Sequence, residues 1–222
     1  MEDAEPSFCY LGDTLCGGGG SESAIITRCR CAWGKFKQLL PILTSKNIKP
    51  KTRGRLYSVC VRSTLLYASE TWAPGPTIQT YSDCSAMTVQ CMVRWMCGLK
   101  ASDDVPFNSL LARLGLADMA TALRSRRLRW YGHVMRADSA INTILSLAVP
   151  GRRGRGRPKK TWSDCVKSDL NATNLASNVT LNRGAWRACI ESTSPLLPTP
   201  TTGIYSPPAT RSRGRVSAAV SK

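Results

Sequence analysis

Three groups of side chains in this 222-residue chain have the chemistry of a reactive or ligating site: the adjacent carboxylates Asp103-Asp104, the single histidine His133, and ten cysteines. Two-metal phosphoryl transfer needs clustered carboxylates. Asp103-Asp104 is the only adjacent acidic pair after residue 23, and it precedes a predicted helix. It therefore reads as charge complementing a helix N-terminus. His133 stands among arginines, which disfavour the imidazolium, and no residue is marked to orient it as a base. Contact with a phosphate or base, or simple packing, is its expected role. The cysteines cluster most closely as Cys29-x-Cys31 and Cys84-x6-Cys91-x5-Cys97, with no C-x-x-C pair. Those spacings do not suit a tetrahedral zinc site. Cys29, Cys60, Cys91 and Cys97 fall on apolar helical patterns and read as reduced, buried thiols. A thiol nucleophile would also need a base. There is no phosphate-cradling G-x-x-x-x-G-K-S/T sequence. The expectation is no catalytic residue, no metal and no cofactor.

The cations are arranged more purposefully. Residues 151–160 read GRRGRGRPKK: six positive charges, no acid and no large apolar side chain. Repeated glycine keeps the backbone thin, and like charges keep it extended. Such a ribbon suits a nucleic-acid groove or backbone. Within it, Arg155-Gly156-Arg157-Pro158 is the core of an AT-hook. Two arginines lie along a narrow A·T minor groove, Gly permits close approach and Pro favours an extended path. A generic basic linker or nuclear-import signal is the competing reading. Arg152, Arg153, Lys159 and Lys160 complete the ribbon. Upstream, Arg126, Arg129, His133 and Arg136 recur at steps of three, four and three and share a helix face, with Arg124 and Arg127 beside it. A solvated face is the plain alternative; the density of charge favours phosphate contact.

Net charge is +17, and it is uneven. Residues 1–23 hold five acids and no Lys or Arg, whereas residues 124–160 hold eleven Lys/Arg against Asp138 alone. Binding to polyanions, weakened steeply by salt, is expected. An anionic membrane surface is the competing partner, but no apolar run approaches the roughly 20 residues a span requires. No signal peptide opens the chain. With reduced thiols this implies a nuclear or cytoplasmic location, not secretion, so the sequons at Asn171 and Asn178 carry little weight.

The elements that position these groups are predicted to be mainly α-helical. Residues 8–15 read as a short strand entering a turn, and Gly17–Gly20 as a flexible tip. Ser21 or Ser23 can cap a helix whose apolar stripe is Ile25, Cys29, Trp33, Phe36, Leu40 and Leu43; Pro41 should kink or end it. Arg28, Lys35 and Lys37 are expected on its outer face. A second helix near 51–67 would bury Leu56, Val59, Cys60, Ser63 and Tyr67, decorated by Lys51, Arg53, Arg55 and Arg62. A third, near 82–97, is apolar nearly all round and reads as central, stopped by Gly98. Helices follow at 107–114, ended by Gly115, and at 119–136, capped by Asp118 with Met119, Leu123, Trp130 and Val134 inward. Thr161 and Asp164 form a capping-box pattern for a helix bearing Trp162, Val166 and Leu170, and a last piece near 182–190 holds Trp186. Beyond residue 193, Pro, Ser and Thr dominate and disorder is expected.

These pieces occur in a familiar order. Phe8-Cys9-Tyr10-Leu11-Gly12-Asp13 precedes Ile26-Thr27-Arg28-Cys29-Arg30 and Ala32-Trp33-Gly34-Lys35-Phe36. Lys51-Thr52-Arg53-Gly54-Arg55, Cys60-Val61-Arg62-Ser63, Leu65-Leu66-Tyr67 and Glu70-Thr71-Trp72 follow. Then come Arg94-Trp95-Met96-Cys97-Gly98, residues 126–134 (RRLRWYGHV) and residues 154–162 (GRGRPKKTW). Over residues 8–190 the chain resembles the C-terminal part of a reverse transcriptase from a non-LTR retrotransposon. The resemblance implies a primer-grip-like segment at Tyr10, Leu11 and Gly12. It implies a helical thumb whose Arg28, Lys35, Arg53, Arg55 and Arg62 line a duplex, and a helix over 126–136 that, with the Gly/Arg ribbon, contacts template RNA or target DNA. The family's aromatic-x-Asp-Asp palm sequence is missing, as is the Cys/His zinc knuckle of some relatives. A start at Met1 just before Phe8 suggests a fragment, inactive alone.

The expected organisation is an acidic strand-bearing segment over 1–23, a helical thumb-like body over 24–149, the basic linker over 150–160, a short helical piece over 161–192 and a disordered tail over 193–222. RNA and duplex DNA are the expected partners, with a full-length reverse transcriptase in trans as a further candidate. An AT-hook architectural protein and a non-functional translated fragment are the alternatives.

Overall fold

The computed structural model describes residues 7–10, 13–16, 21–73, 78–100, 102–137, 143, 147 and 160–193. The chain is mainly α, as its periodicity predicts. It opens with an antiparallel pair, β1 (Ser7–Tyr10) and β2 (Asp13–Cys16), in which Ser7 faces Cys16 and Tyr10 faces Asp13. Helix α1 (Glu22–Leu43) follows and lies against β2. It starts at Ser21, whose hydroxyl makes no cap bond, and ends two residues past Pro41.

The second predicted helix is real but wound differently. It runs as α2 (Pro50–Tyr57), a π-helical stretch over Ser58–Arg62, and the short α3 (Ser63–Leu65). Its buried stripe is Arg53, Tyr57, Val61 and Leu65, spaced by four, with Gly54 and Arg62 buried beside it. A regular α-helix repeats every 3.6 residues and would rotate that stripe away; a π-turn holds it in place. The hydroxyls of Ser63 and Thr64 donate to the carbonyls of Val59 and Cys60, satisfying acceptors near the altered winding. The predicted inner face is therefore incorrect: Val59 is 62% exposed, and Tyr67 lies outside as well.

Helices α4 (Ile78–Cys97) and α5 (Phe107–Leu114) complete the main layer, ending at Gly98 and Gly115 with φ of +70° and +65°. That left-handed conformation suits glycine and closes both helices as expected. The central core unites Phe36 and Leu43 of α1, Tyr57, Val61 and Leu65, Val89, Met92, Val93 and Met96 of α4, and Leu110, Leu111 and Leu114 of α5. Gly54 is what lets α2 meet α5: a Cβ there would sit 2.0 Å from the Leu114 carbonyl oxygen. Helix α4 is not apolar-buried all round, since Met87, Cys91 and Trp95 are exposed.

Helix α6 (Met119–Arg136) starts on Asp118, whose carboxylate accepts from the Ala120 and Thr121 amides. It carries a second, smaller core with α7 (Trp162–Thr173), a 3-10 turn over Ser177–Leu181 and α8 (Arg183–Ser192). Leu128, Trp186 and Ile190 are its centre. The Trp186 indole donates to the Leu128 carbonyl at 3.0 Å and lies directly over Gly132, where a Cβ would come within 2.2 Å. The capping box of Thr161 and Asp164 forms as the sequence predicts, and its hydrogen bonds hold the Asp164 carboxyl below the usual range. Arg127 joins α6 to α7 through Asp169 at 3.1 Å, with Arg124 at 3.7 Å from the same carboxylate. Burial raises the Asp169 carboxyl despite the opposing pull of Arg127 and Arg124.

Candidate nucleic-acid interface

The predicted cations divide into two populations. Arg28, Arg53 and Arg62 are not on an outer face; all three are buried. Arg53 directs Nη1 at the carbonyls of Leu43, at 3.2 Å, and Met96, at 2.7 Å. Those carbonyls lie at the C-termini of α1 and α4, where oxygens lack intrahelical partners and the dipoles are negative. One guanidinium thus serves two helix ends, and the dipoles supply its counter-charge. Arg62 donates to the Ala117 carbonyl, immediately ahead of the α6 cap. Burial pulls its guanidinium down, while Tyr57 and Asp118 oppose that shift. Arg28 lies over the Tyr67 ring, 4.3 Å from its centroid. Arg53 and Arg62 are thus internal clamps on backbone carbonyls, and the guanidinium nitrogens that they and Arg28 leave without a hydrogen-bond partner among the described residues are buried, out of reach of a duplex phosphate. Arg94, not predicted as a site residue, does similar work, reaching the carbonyls of Lys100, Asp103 and Val105.

Asp103-Asp104 lies in this α4–α5 loop. The Asp103 carboxylate accepts from the Lys100 amide at 2.8 Å, so it closes a turn after α4 rather than complementing the start of α5. Among the described residues no group of three or more His, Cys, Asp or Glu side chains is placed to hold a metal ion. The eight cysteines whose side chains are described are free, but burial is less general than predicted: of these, Cys91 is exposed, Cys29, Cys60 and Cys97 are half-buried, and only Cys165 is buried. Desolvation raises the thiols of Cys97 and Cys165.

The second population is outward. Lys35 and Arg55 are exposed on α1 and α2. The richest concentration is along α6, where Arg126, Arg129, Trp130 and His133 join Glu70 and Thr71 around an open groove of about 660 Å³. Arg126 bonds the Glu70 carboxylate at 2.7 Å and the Leu66 carbonyl at 3.2 Å. Arg136 has turned away to the Thr180 carbonyl at 2.6 Å. Arg129 and His133 remain exposed, and the His133 ring sits 5.3 Å from that of Trp130 at 40°. Partial desolvation pulls the Arg129 guanidinium down; Glu191 acts against this shift, while Arg187 and Arg126 add to it. The four-residue stripe is thus drawn together only in part.

Glu70, Thr71 and Trp130, the last expected to face inward, are the groove's unforeseen members. The Trp162 indole donates to the Glu70 carbonyl at 2.8 Å, a bond spanning 92 residues. Lys160, exposed, and Thr161 lead directly into that tryptophan. The C-terminal end of the Gly/Arg ribbon is therefore fastened to the rim of the α6 groove. Arg152, Arg153, Arg155, Arg157 and Lys159, like Leu11 and Gly12, lie outside the described residues; Tyr10 is exposed at the end of β1. No described helix is long and apolar enough to cross a membrane. Comparisons with protein-family models, curated proteins and solved structures return no match.

Proposed function

We propose that this protein binds RNA and duplex DNA through the α6 groove and the Gly/Arg ribbon anchored at its rim, as a thumb-and-basic-region unit like that of a non-LTR retrotransposon reverse transcriptase. The observation that carries the reading is the Trp162–Glu70 bond. It joins the densest cationic segment of the sequence to the groove that holds Arg129 and His133. A concentration of basic residues on one face is the electrostatic footprint of a nucleic-acid binder. The ordered run of motifs over residues 8–190 supports the ancestry. The aromatic-x-Asp-Asp sequence does not occur in the chain, and we propose that it does not polymerise DNA by itself.

The test is retention of labelled RNA and duplex DNA by the purified chain across a salt series, alongside a nucleotide-incorporation assay with Mg²⁺. Salt-sensitive retention without incorporation is expected. Failure to retain either nucleic acid in dilute buffer refutes the binding, and template-directed synthesis refutes the inactivity. A marked preference for A·T over G·C duplexes, abolished by Arg157→Ala, would instead establish the AT-hook architectural reading.

A further inference from the structure

The α6 groove offers fewer free cations to the side of a duplex than the spacing of its stripe suggests. Of the four residues spaced to form a phosphate stripe, Arg126 is committed to Glu70 and to the Leu66 carbonyl, and Arg136 to the Thr180 carbonyl. What faces solvent is one guanidinium, that of Arg129, beside the rings of Trp130 and His133. A cylinder of paired strands presents rows of phosphates and hides the faces of its bases. One cation beside a two-ring platform matches a different object: a single phosphate with its own base turned outward.

We propose that the Trp130/His133 face of this groove is a stacking site for an unpaired nucleotide of a single-stranded RNA or DNA segment, with Arg129 on the adjoining phosphate. The inference rests on the nucleic-acid reading above and narrows it. The half-buried Trp130 indole and the exposed His133 imidazole, 5.3 Å apart and tilted by 40° on successive turns of one helix, offer two ring faces, on either of which a base can lie. Such stacking tolerates any base, because every base has a π-face. The groove volume of about 660 Å³ falls within the range of small-ligand sites. Glu70 lines the same groove but is held by Arg126, so that pair closes the phosphate side of the wall and leaves Arg129 as the anion contact.

The test uses the full chain and four probes of equal length, about 12 nucleotides, within the site sizes of single-strand binders. They are a single-stranded RNA, the same sequence as DNA, its duplex, and a strand of abasic sites with the same phosphates. Wild type should hold the base-bearing strands more tightly than the abasic one by about 5- to 150-fold, the fold-change of one stacked base. Trp130→Ala should remove that margin, bringing base-bearing and abasic strands to the same affinity, and Trp130→Phe should keep most of it. Thermal melts of each variant separate loss of stacking from loss of fold, and the wild-type comparison of base-bearing with abasic strands needs no variant. Equal affinity for abasic and base-bearing strands overturns the stacking site while leaving general nucleic-acid binding intact. No retention of any probe overturns both. A preference for the RNA strand over the DNA strand, or its lack, assigns the sugar the site accepts.

Discussion

Replacing Arg53 by methionine separates an internal clamp from a phosphate contact. The side chain is 7% exposed and donates to the Leu43 and Met96 carbonyls. A hydrogen bond to a charged group contributes about 1.5–3 kcal/mol, and methionine keeps the apolar stem while leaving two helix-end carbonyls without a donor. The expected cost is about 3–6 kcal/mol for the two bonds. For a chain of this size, each kcal/mol lowers Tm by about 2–4 °C, so the midpoint should fall by about 6–24 °C. Arg55→Met, two residues on and exposed, should change stability by less than about 0.5 kcal/mol. The assay pairs a thermal melt with RNA affinity measured well below the midpoint. Arg53→Met should lose stability and keep affinity. An unshifted midpoint with RNA affinity lost would refute the clamp and put the guanidinium back on a duplex.

Further outcomes follow from single contacts. Gly132→Ala should destabilise by about 1–3 kcal/mol, because the new methyl displaces the Trp186 indole from the Leu128 carbonyl; a melt followed by tryptophan fluorescence reads it. Tyr57→Phe should stabilise the chain by about 1 kcal/mol in urea unfolding, since the buried hydroxyl finds no hydrogen-bond partner among the described residues. Burial pushes the Tyr57 phenol up to about 12, while Arg62 pulls it down. The protonated phenol is thus favoured by folding. Stability should be intact below about pH 10, the unfolded value, and fall between about pH 10 and about 12. Tyr57→Phe should flatten that alkaline loss. Thr161→Ala should cost about 1 kcal/mol, visible as faster amide exchange in α7.

Local grammar was legible in the sequence. Asp118, Thr161 with Asp164, Gly98 and Gly115 each act within one helical turn of their own position, and each does in the structure what its residue type predicts. The ends of α4 and α5 and the starts of α6 and α7 follow from those signals. The fate of the arginines was not legible, because the partners of Arg53 and Arg62 are backbone oxygens 10, 43 and 55 residues away, and a carbonyl leaves no mark in a sequence. A basic residue on a helical pattern reads as solvent-facing until a dipole is placed opposite it. The inner face of α2 was misread for a related reason: a four-residue spacing was judged against a 3.6-residue helix, and the π-turn alters the phase. At the groove, the spacing from Arg126 to His133 was visible, and Glu70-Thr71-Trp72 and Trp162 were visible as motifs. Nothing in their separation of 92 residues showed that Trp162 would close on Glu70.

The most direct measurement is the salt dependence of RNA and duplex DNA affinity for the full chain against a variant with Arg152, Arg153, Arg155, Arg157, Lys159 and Lys160 all changed to Gln. Each lost phosphate contact on duplex DNA should reduce the slope of log affinity against log salt by about 0.9. The account predicts a steep slope for the wild type, a slope shallower by several units for the variant, and an unchanged melting midpoint. A chain that retains neither nucleic acid in dilute buffer, or a variant with the wild-type slope, would contradict it.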